Sequence, residues 1–393
     1  MKDLKFILII PILFIAYVNC YGQTEQGLEE DIKVSMNKYR GVGISAVVVK
    51  NNKIIYTKSF GYNPDYNNKE LRKPIPINGV YVIASISKSF VSTAIMQLVE
   101  EKKLKLDDDI NKYLTFNVRN PQFPNVPITV RMLLCHRSSL NDNHYAWNLN
   151  QINPNIGKRW KECYNDYAPG RRYKYCNLGY SLLGAIIENV TKERFPDYID
   201  NHIIKPLSLN ASYNLTKIDS NLLVKSLSYD HKLKKFRKCP SIYNYSYFRK
   251  ELKKYRIGYS AAAFSPTGGM KISAPDLARY MLMHMNYGIY NGIRIVTKNS
   301  EMEMRTPPKG NKNYALAFSK YHNLIEGEIL EGMSGCAHGV HSTMAFNSNE
   351  KYGFVVICNG CTSNPTNGQD LNREIIKILY KHLIKNKITS NGN

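Results

Sequence analysis

Ser85 and Lys88 stand three positions apart where an apolar stretch begins, and this spacing could support acyl transfer. A serine hydroxyl becomes a good nucleophile when a base removes its proton, and a lysine can be that base when burial lowers its pKa. On a helix that begins near Ser85, Lys88 falls on the same apolar stripe as Ala84 and Val91. Burying an ammonium without a partner is costly. The pair therefore predicts a serine nucleophile beside a desolvated lysine.

A purely structural interpretation of the same pair is also open. Ser85 could be an ordinary helix N-cap, and Lys88 could pack its stem on apolar surface with its amine in water. The S-x-x-K spacing does not decide between the two, since residues 35–38 and 348–351 share it. The rest of the chain has to separate them.

Two further short motifs with polar groups follow in the chain. Tyr175-Cys-Asn177 comes after a Pro-Gly break and directly before an apolar helix predicted over 178–190. Met333-Ser-Gly335 leads into the last strand-like runs. The Y-x-N spacing also occurs at 66–68 and 321–323, so the signal is the order of the three motifs.

Strand-like runs lie at both ends of the chain, and helical patterns lie between them. The β-branched runs at 44–49 and 54–59 form a hairpin signal, and similar runs occupy 342–347 and 353–358. Helices are expected at 24–39, 85–99, 178–190, 195–204, 274–285 and 370–384. This pattern predicts an α/β (α+β) fold in which both chain ends build one antiparallel sheet flanked by helices, with a mainly helical region inserted between them.

The first residues have the form of a secretory signal peptide. Lysines at positions 2 and 5 precede an apolar run over 6–18, which is shorter than the roughly 20 residues that a membrane-spanning helix needs. We expect cleavage before Gln23 and a periplasmic or secreted mature protein without a transmembrane span. Cys20 could instead be a lipid-attachment cysteine, although the residues before it make a poor lipobox.

The chain is strongly basic, with 54 Lys and Arg against 31 Asp and Glu and a net charge of +23. The segment 232–256 holds ten of these basic residues and the single acidic residue Glu251. Nucleic acid is not an expected partner, because no zinc-ligand spacing or RNA-binding motif accompanies the charge. A solvated basic face that meets an anionic cell-envelope surface is the favoured interpretation.

Cysteine usage indicates neither a metal site nor a disulfide framework. The eight cysteines are irregularly spaced, and loss of Cys20 would leave an odd number. The pair Cys358 and Cys361 closes an apolar strand, which favours a local disulfide or two free thiols over redox catalysis. We expect no metal and no cofactor.

The ordered set of motifs resembles the S-x-x-K, Y-x-N and [K/H]-[T/S]-G set of the serine β-lactamase and penicillin-binding-protein superfamily. The similarity is to its class C-like branch, which holds class C β-lactamases, D,D-carboxypeptidases, D-aminopeptidases and certain esterases. Framework-like segments extend the resemblance over roughly residues 40–385, at 83–90, 98–101, 106–108, 132–136, 168–170, 176–184, 205–207 and 354–359.

The resemblance implies a β-lactamase/transpeptidase-like fold and a simple domain layout. A signal peptide at 1–22 would precede one β-lactamase-related serine hydrolase domain at 23–385, followed by a polar tail at 386–393. The α/β part would comprise about 23–80 and 258–385, and the helical insertion about 81–257.

The resemblance also implies roles for the motif residues. Ser85 would be the nucleophile, with Lys88 and Tyr175 as the groups that move its proton and activate water. Asn177 would hydrogen-bond Lys88 and the substrate's amide, although it could also, or instead, be the N-cap of the helix that follows. His136 lies in a framework segment, so we interpret it as structural.

The third motif departs from the pattern at its first position. The backbone N–H groups of Ser85 and Cys336 would form the oxyanion hole, and Ser334 and Gly335 would border the substrate. Met333, however, replaces the usual Lys or His, the cation that helps to bind a substrate carboxylate. This loss argues against carboxylate-terminated substrates such as peptidoglycan stems and β-lactams, and it favours an ester, a neutral amide or an uncharacterised peptide.

Nearby imidazoles leave an alternative open. His338 and His341 follow the third motif closely and could supply a cation, although both could equally be polar loop residues. An alignment that takes 337–339 as the motif would restore an imidazole but fits the following strand less well.

The predicted function is that of a secreted serine hydrolase that cleaves an amide or ester through a Ser85 acyl-enzyme. Its substrate would be a small molecule or peptide, namely a β-lactam, a D-amino-acid peptide or an ester. The alternative is a penicillin-binding or muropeptide-binding protein with little or no turnover. A third interpretation, a basic envelope-binding protein on an inactive scaffold, depends on the 232–256 segment alone.

Overall fold

The computed structural model describes residues 26–68, 70, 72–145, 147–363 and 370–385. The predicted signal peptide and the predicted tail at 386–393 lie outside these residues. In chain order the strands are β1 Gly43–Lys50, β2 Lys53–Pro64, β3 Arg72–Pro74, β4 Val80–Val82, β5 Ala211–Ser212, β6 Leu227–Asp230, β7 Lys235–Lys238, β8 Lys271–Ser273, β9 Ile289–Tyr290, β10 Ile293–Arg294, β11 Ser319–Tyr321, β12 Leu330–Ala337, β13 Val340–Asn347 and β14 Tyr352–Cys358.

Seven of the helices in the described part of the chain lie between the two groups of long strands. In chain order they are α1 at 26–38, α2 Ser87–Glu100, α3 Val130–Leu134, α4 Asn177–Thr191, α5 Phe195–Ile199, α6 Tyr245–Lys253, α7 Ala274–Met285, α8 Lys298–Arg305 and α9 Leu371–Tyr380. The same region also contains the hairpin β6–β7 and a small sheet in the order β4-β8-β5, which the helical pattern did not predict.

One antiparallel sheet organises the molecule, with the strand order β11-β12-β13-β14-β1-β2-β3. The two chain ends meet at its centre, where Ile44 of β1 lies opposite Cys358 of β14. The prediction of an antiparallel sheet from both chain ends, flanked by helices, is therefore confirmed.

Both faces of the sheet are covered, which explains why β1 reads as a nearly continuous apolar run. Ile44 and Val48 point to the face that packs against α1 and α9. Val47 and Val49 point to the opposite face, where α7 packs. Within the described residues, no helix is both long and apolar enough to span a membrane.

The helix α2 lies in the hydrophobic core on the α7 side of the sheet. Its residues from Ser87 to Met96 are all buried, and Phe90 stacks on Tyr280 of α7 with ring centroids 3.8 Å apart. A helix that is buried on all sides has little freedom to shift. Its N-terminal end, which carries the first motif, is therefore held in a fixed position.

The segment that leads into α2 is held between two strands. On one side β4 pairs with β8, with Val82 opposite Lys271. On the other side β12 approaches so closely that a Cβ added at Gly335 would lie 2.5 Å from the Ile83 carbonyl oxygen and 2.8 Å from the Ser85 nitrogen. Only glycine fits a backbone approach of this kind.

Candidate active site

Ser85 lies in a single turn of 3-10 helix, Ala84–Ile86, that opens into α2. Its neighbour Ala84 has a φ of 48°, a left-handed conformation that is unfavourable for a residue with a Cβ. The turn is held by Ser87, whose Oγ donates to the Ala84 carbonyl at 2.6 Å and accepts from the Met270 N–H at 3.0 Å. This geometry presents the Ser85 hydroxyl at the positive end of the helix dipole.

Two proton donors converge on the Ser85 hydroxyl. The Tyr175 hydroxyl donates to Ser85 Oγ at 2.8 Å, and Lys88 Nζ donates to the same oxygen at 3.1 Å. The structure thus brings together the first two motifs, which are separated by almost ninety residues of sequence. An oxygen that accepts from both groups can pass its proton to either of them.

Lys88 is completely buried, as its place on the apolar stripe predicts. Its amine also donates to the Thr267 carbonyl at 2.7 Å. Burial lowers the pKa of Lys88 to about 7, although the charges of Asp142 and Cys176 act to raise it. A large share of Lys88 is therefore neutral at neutral pH and can accept a proton.

Tyr175 is protonated under the same conditions. Burial raises the pKa of its phenol, and the hydrogen bond to Ser85 offsets only part of that rise. The Lys88 amine lies 4.9 Å from the centre of the Tyr175 ring, so its ammonium form would stabilise a phenolate. Of the two groups on Ser85, Lys88 is therefore the one that can accept a proton in the free protein, and Tyr175 is the one that still holds a proton to give.

Asp142 fixes the second motif, and sequence reasoning missed it. Its Oδ2 accepts from the backbone N–H of Asn177 at 2.8 Å and from Asn177 Nδ2 at 2.9 Å. Its Oδ1 accepts from the Leu178 N–H at 2.9 Å, so this carboxylate caps the start of α4. The N-cap position itself is Cys176, and Asn177 is the first helical residue. A capping residue that comes from a distant loop leaves no local signal in the sequence.

His136 packs behind Tyr175, with ring centroids 4.2 Å apart. Its Nδ1 accepts from the Cys176 N–H at 3.2 Å, and its Nε2 lies 3.1 Å from the Tyr314 hydroxyl. Burial, reinforced by the charge of Lys88, lowers the pKa of His136 well below its usual value. A neutral His136 thus supports the backbone beside Tyr175, a position that fits the structural role expected for it.

The third motif lies on β12 with its side chains on alternating faces. Met333 is buried in the core on the same face as Gly335. Its thioether side chain places no charge at this position. Ser334 is exposed on the other face and shares a hydrogen bond of 2.7 Å with the Tyr321 hydroxyl. Cys336 is exposed and lines the cavity beside Ser85. Ser334 lies on the same face of β12 as Cys336, but it is not among the described residues that line the cavity.

The two imidazoles that follow this motif lie in different places. His338 borders the cavity and stacks on Trp147, with ring centroids 6.4 Å apart. His341 is largely buried, and its Nε2 lies 4.0 Å from Cys336 Sγ. Cys336, Cys358 and Cys361 are all free thiols. The C-x-x-C pair thus consists of two free thiols and not of a local disulfide.

A cavity of about 520 Å³ opens over Ser85, and its walls are mainly aromatic and apolar. One wall comes from the basic segment, since α6 places Tyr247 and Phe248 against the cavity, which sequence reasoning did not anticipate. Lys271 of β8 also lines it. Other lining residues are Val82, Tyr145, Trp147, Tyr175, Asn177, Ser241, Ile242, Asn244, Phe264, Thr267, Cys336 and His338.

Comparisons of the sequence and of the structure with known proteins both lead to β-lactamase-like and penicillin-binding-protein-like proteins. A family model described as Beta-lactamase matches residues 28–376. Protein flp from Staphylococcus aureus strain MRSA252 is 31% identical over 192 residues, a match that covers 48% of this chain and 38% of that protein. The chain thus matches less than half of the length of this relative.

Solved structures share the fold over nearly the whole described chain. The octameric penicillin-binding protein homologue from Pyrococcus abyssi has a TM-score of 0.69 at 26% identity, with 92% of this chain and 81% of that chain covered. The β-lactamase/D-alanine carboxypeptidase from Pseudomonas syringae has a TM-score of 0.68 at 17% identity, with 92% and 98% covered. At the lower identity the likeness shows the fold alone.

Proposed function

The chain belongs to the beta-lactamase family, and we propose that it is an exported serine hydrolase that cleaves an ester or amide through an acyl-enzyme on Ser85. The observation that carries this proposal is the convergence of Lys88 and Tyr175 on one hydroxyl, at 3.1 Å and 2.8 Å, inside a cavity. A serine that were only a helix cap would not require a buried lysine beside it.

In the proposed acylation step, the neutral amine of Lys88 takes the Ser85 proton as Oγ attacks the substrate's carbonyl carbon. The carbonyl oxygen becomes an oxyanion that the backbone N–H groups of Ser85 and Cys336 stabilise. Tyr175 then gives its proton to the leaving group as the carbonyl–heteroatom bond breaks. The products of this step are the Ser85 ester, the protonated leaving group, a Lys88 ammonium and a Tyr175 phenolate.

In the proposed deacylation step, the Tyr175 phenolate takes a proton from water, and the resulting hydroxide attacks the ester carbonyl. Ser85 Oγ leaves and recovers a proton from the Lys88 ammonium. The acid product is released, and all three side chains return to their starting forms. Tyr175 thus acts as the acid in the first step and the base in the second, which reconciles its high pKa in the free protein with the role that the resemblance implies.

The expected substrates are esters and neutral amides. Met333 is buried among apolar side chains where related enzymes carry a cation, so the β12 side of the site has no charge at that position. The same observation supports the alternative, a protein that binds or is acylated by penicillins with little turnover. Short-chain esters distinguish the two, because they need no charged contact on that side.

A labelling and turnover experiment tests the proposal. The full chain is treated with a fluorescent fluorophosphonate, a fluorescent penicillin and nitrophenyl esters, alongside Ser85→Ala. Ser35→Ala is the matched control, since Ser35 opens another S-x-x-K motif on α1. We expect labelling and ester turnover in wild type and Ser35→Ala, and neither in Ser85→Ala. Ester turnover that persists in Ser85→Ala would refute the proposal, and labelling without turnover would favour the binding protein.

A further inference from the structure

Lys271 is a second buried lysine of the cavity, and the mechanism above does not use it. It lies on β8, directly opposite Val82 of β4, and only 1% of its surface is exposed. Its Nζ donates to the Tyr213 carbonyl at 2.6 Å and lies 4.5 Å from the centre of the Phe248 ring. An ammonium has three donors, so the carbonyl satisfies only part of its capacity.

Lys271 forms no ion pair with a carboxylate among the residues that the structure describes. The nearest acidic influence is Asp200, which is already occupied by Ser212 Oγ at 3.0 Å and Lys217 Nζ at 2.8 Å. An apolar side chain of similar size would fill the same space without the desolvation cost of an amine. A buried cation without an acidic partner at a cavity wall is thus arranged to receive an anion from a ligand.

Lys271 and β12 meet different parts of the segment that carries Ser85. Lys271 of β8 lies opposite Val82, ahead of the nucleophile, whereas β12, which carries Met333, packs against Ile83 and Ser85. On the Lys271 side, Phe248 and Phe264 are buried and close the cavity. On the β12 side, Cys336 is exposed and the cavity is open.

The two sides suit different parts of a substrate. A leaving group has to depart after acylation, which the open β12 side permits. The acyl group stays attached to Ser85 until water arrives, so the closed side can hold it. We propose that Lys271 binds a carboxylate at the distal end of the acyl group, and that the enzyme therefore prefers esters or amides of dicarboxylic acids. This inference rests on the proposed acyl-enzyme at Ser85.

The charge of Lys271 makes this preference depend on pH. Burial lowers the pKa of Lys271 to about 7, while Asp200 acts to raise it. Asp200 is shared with Lys217, and Tyr213 and Phe248 contribute a carbonyl and an aromatic face to the amine. In the unliganded protein the Lys271 side chain is protonated below neutral pH. The advantage of an anionic substrate over a neutral one is therefore largest below neutral pH and declines as pH rises.

Matched substrates test the inference directly. Nitrophenyl monoesters of succinic, glutaric and adipic acid are compared with nitrophenyl butanoate, pentanoate and hexanoate, and the rates of Ser85→Ala are subtracted as background. We expect Lys271→Met to lower kcat/KM for the best anionic ester by about 10- to 100-fold and to leave the neutral esters nearly unchanged. Lys351→Met is the control, since Lys351 also donates to a backbone carbonyl, that of Met285, but does not line the cavity.

The wild-type protein provides a second test that needs no folded variant. The ratio of kcat/KM for the anionic ester to that for its neutral partner is measured across neutrality, and ionisations of Ser85, Lys88 and Tyr175 cancel in it. A ratio that falls as pH rises supports the inference. A ratio that does not change with pH, or an equal loss of kcat/KM for both esters in Lys271→Met, would overturn the inference about Lys271. The proposed function would still stand in that case if neutral esters were turned over in a Ser85-dependent way. If no ester is turned over, the proposed function itself fails.

Discussion

Lys88 is the residue whose environment most strongly affects the proposed chemistry. Its ammonium is completely buried next to the nucleophile, and burial brings its pKa to about 7. A lysine in water would be almost entirely protonated at neutral pH and could not act as a base. The position of Lys88 on the core-facing side of α2 therefore accounts for the lowered pKa of the proposed base, and it lies one helical turn from Ser85.

We predict that kcat/KM for a neutral nitrophenyl ester rises with pH to a plateau, with a midpoint near the Lys88 pKa of about 7. The sign follows because the neutral amine, present above the pKa, is the active form. Lys88→Met should lower kcat/KM by about 100-fold or more and remove this pH-dependent limb. Steady-state kinetics across pH measure both effects. A limb that survives unchanged in Lys88→Met would assign the ionisation to another group.

At the scale of elements, the site depends on how closely β12 approaches the turn that opens α2. Ser342 Oγ of β13 also donates to the Ile83 carbonyl at 2.7 Å, so two neighbouring strands fix the backbone before Ser85. The N–H group of Ser85 belongs to the turn that opens α2, and the N–H group of Cys336 belongs to β12. Their spacing is a property of the packing of strand against turn, and Gly335 is the residue that allows it.

Gly335→Ala should separate β12 from the turn and weaken the proposed oxyanion hole. We expect a loss of about 10²- to 10³-fold in kcat, the usual effect of removing one such donor. Gly27→Ala on α1 is the control, because the nearest atom to its added Cβ is 4.0 Å away. Ester kinetics and thermal unfolding of both variants separate loss of catalysis from loss of folding. Unchanged kcat in a folded Gly335→Ala protein would contradict the proposed role of this contact.

Local patterns in the sequence account for the elements but not for all of the site. The continuous apolar run of β1 and the apolar stripe of α2 are set by neighbours along the chain, so they could be predicted. Asp142, Lys271 and the α6 wall could not, because their roles arise from contacts with distant segments. Lys271 in particular lies in a short strand, where neither spacing nor composition indicates that its amine is buried. The orientation of Ser334 toward Tyr321 likewise depends on the pairing of β11 with β12.

At the scale of the whole molecule, the basic segment 232–256 has two different surfaces. The lysines of the β6–β7 hairpin are exposed, whereas Tyr247 and Phe248 of α6 face the cavity. Part of the net charge of +23 is therefore carried by the same segment that forms one wall of the cavity. We propose that this surface holds the protein against an anionic polymer without taking part in bond cleavage.

Replacing Lys232, Lys234 and Lys235 together by Gln should weaken binding to poly-L-glutamate, and binding of the wild type should fall steeply with added salt. Turnover of neutral esters should not change, since these side chains do not line the cavity. The control triple variant replaces Lys102, Lys103 and Lys105, which are also exposed. Sedimentation or fluorescence titration measures the binding. Equal effects of the two triple variants would mean that net charge acts without a defined surface.

The covalent intermediate is the central claim, and intact mass spectrometry of an acid-quenched reaction tests it most directly. The full chain is mixed with a slowly hydrolysed nitrophenyl ester, quenched, weighed and mapped by peptides. We predict one added acyl group, located on Ser85 and absent from Ser85→Ala. Cys336 is an exposed free thiol in the same cavity and is the internal competitor. An adduct on Cys336, or turnover without any adduct on Ser85, would contradict the account.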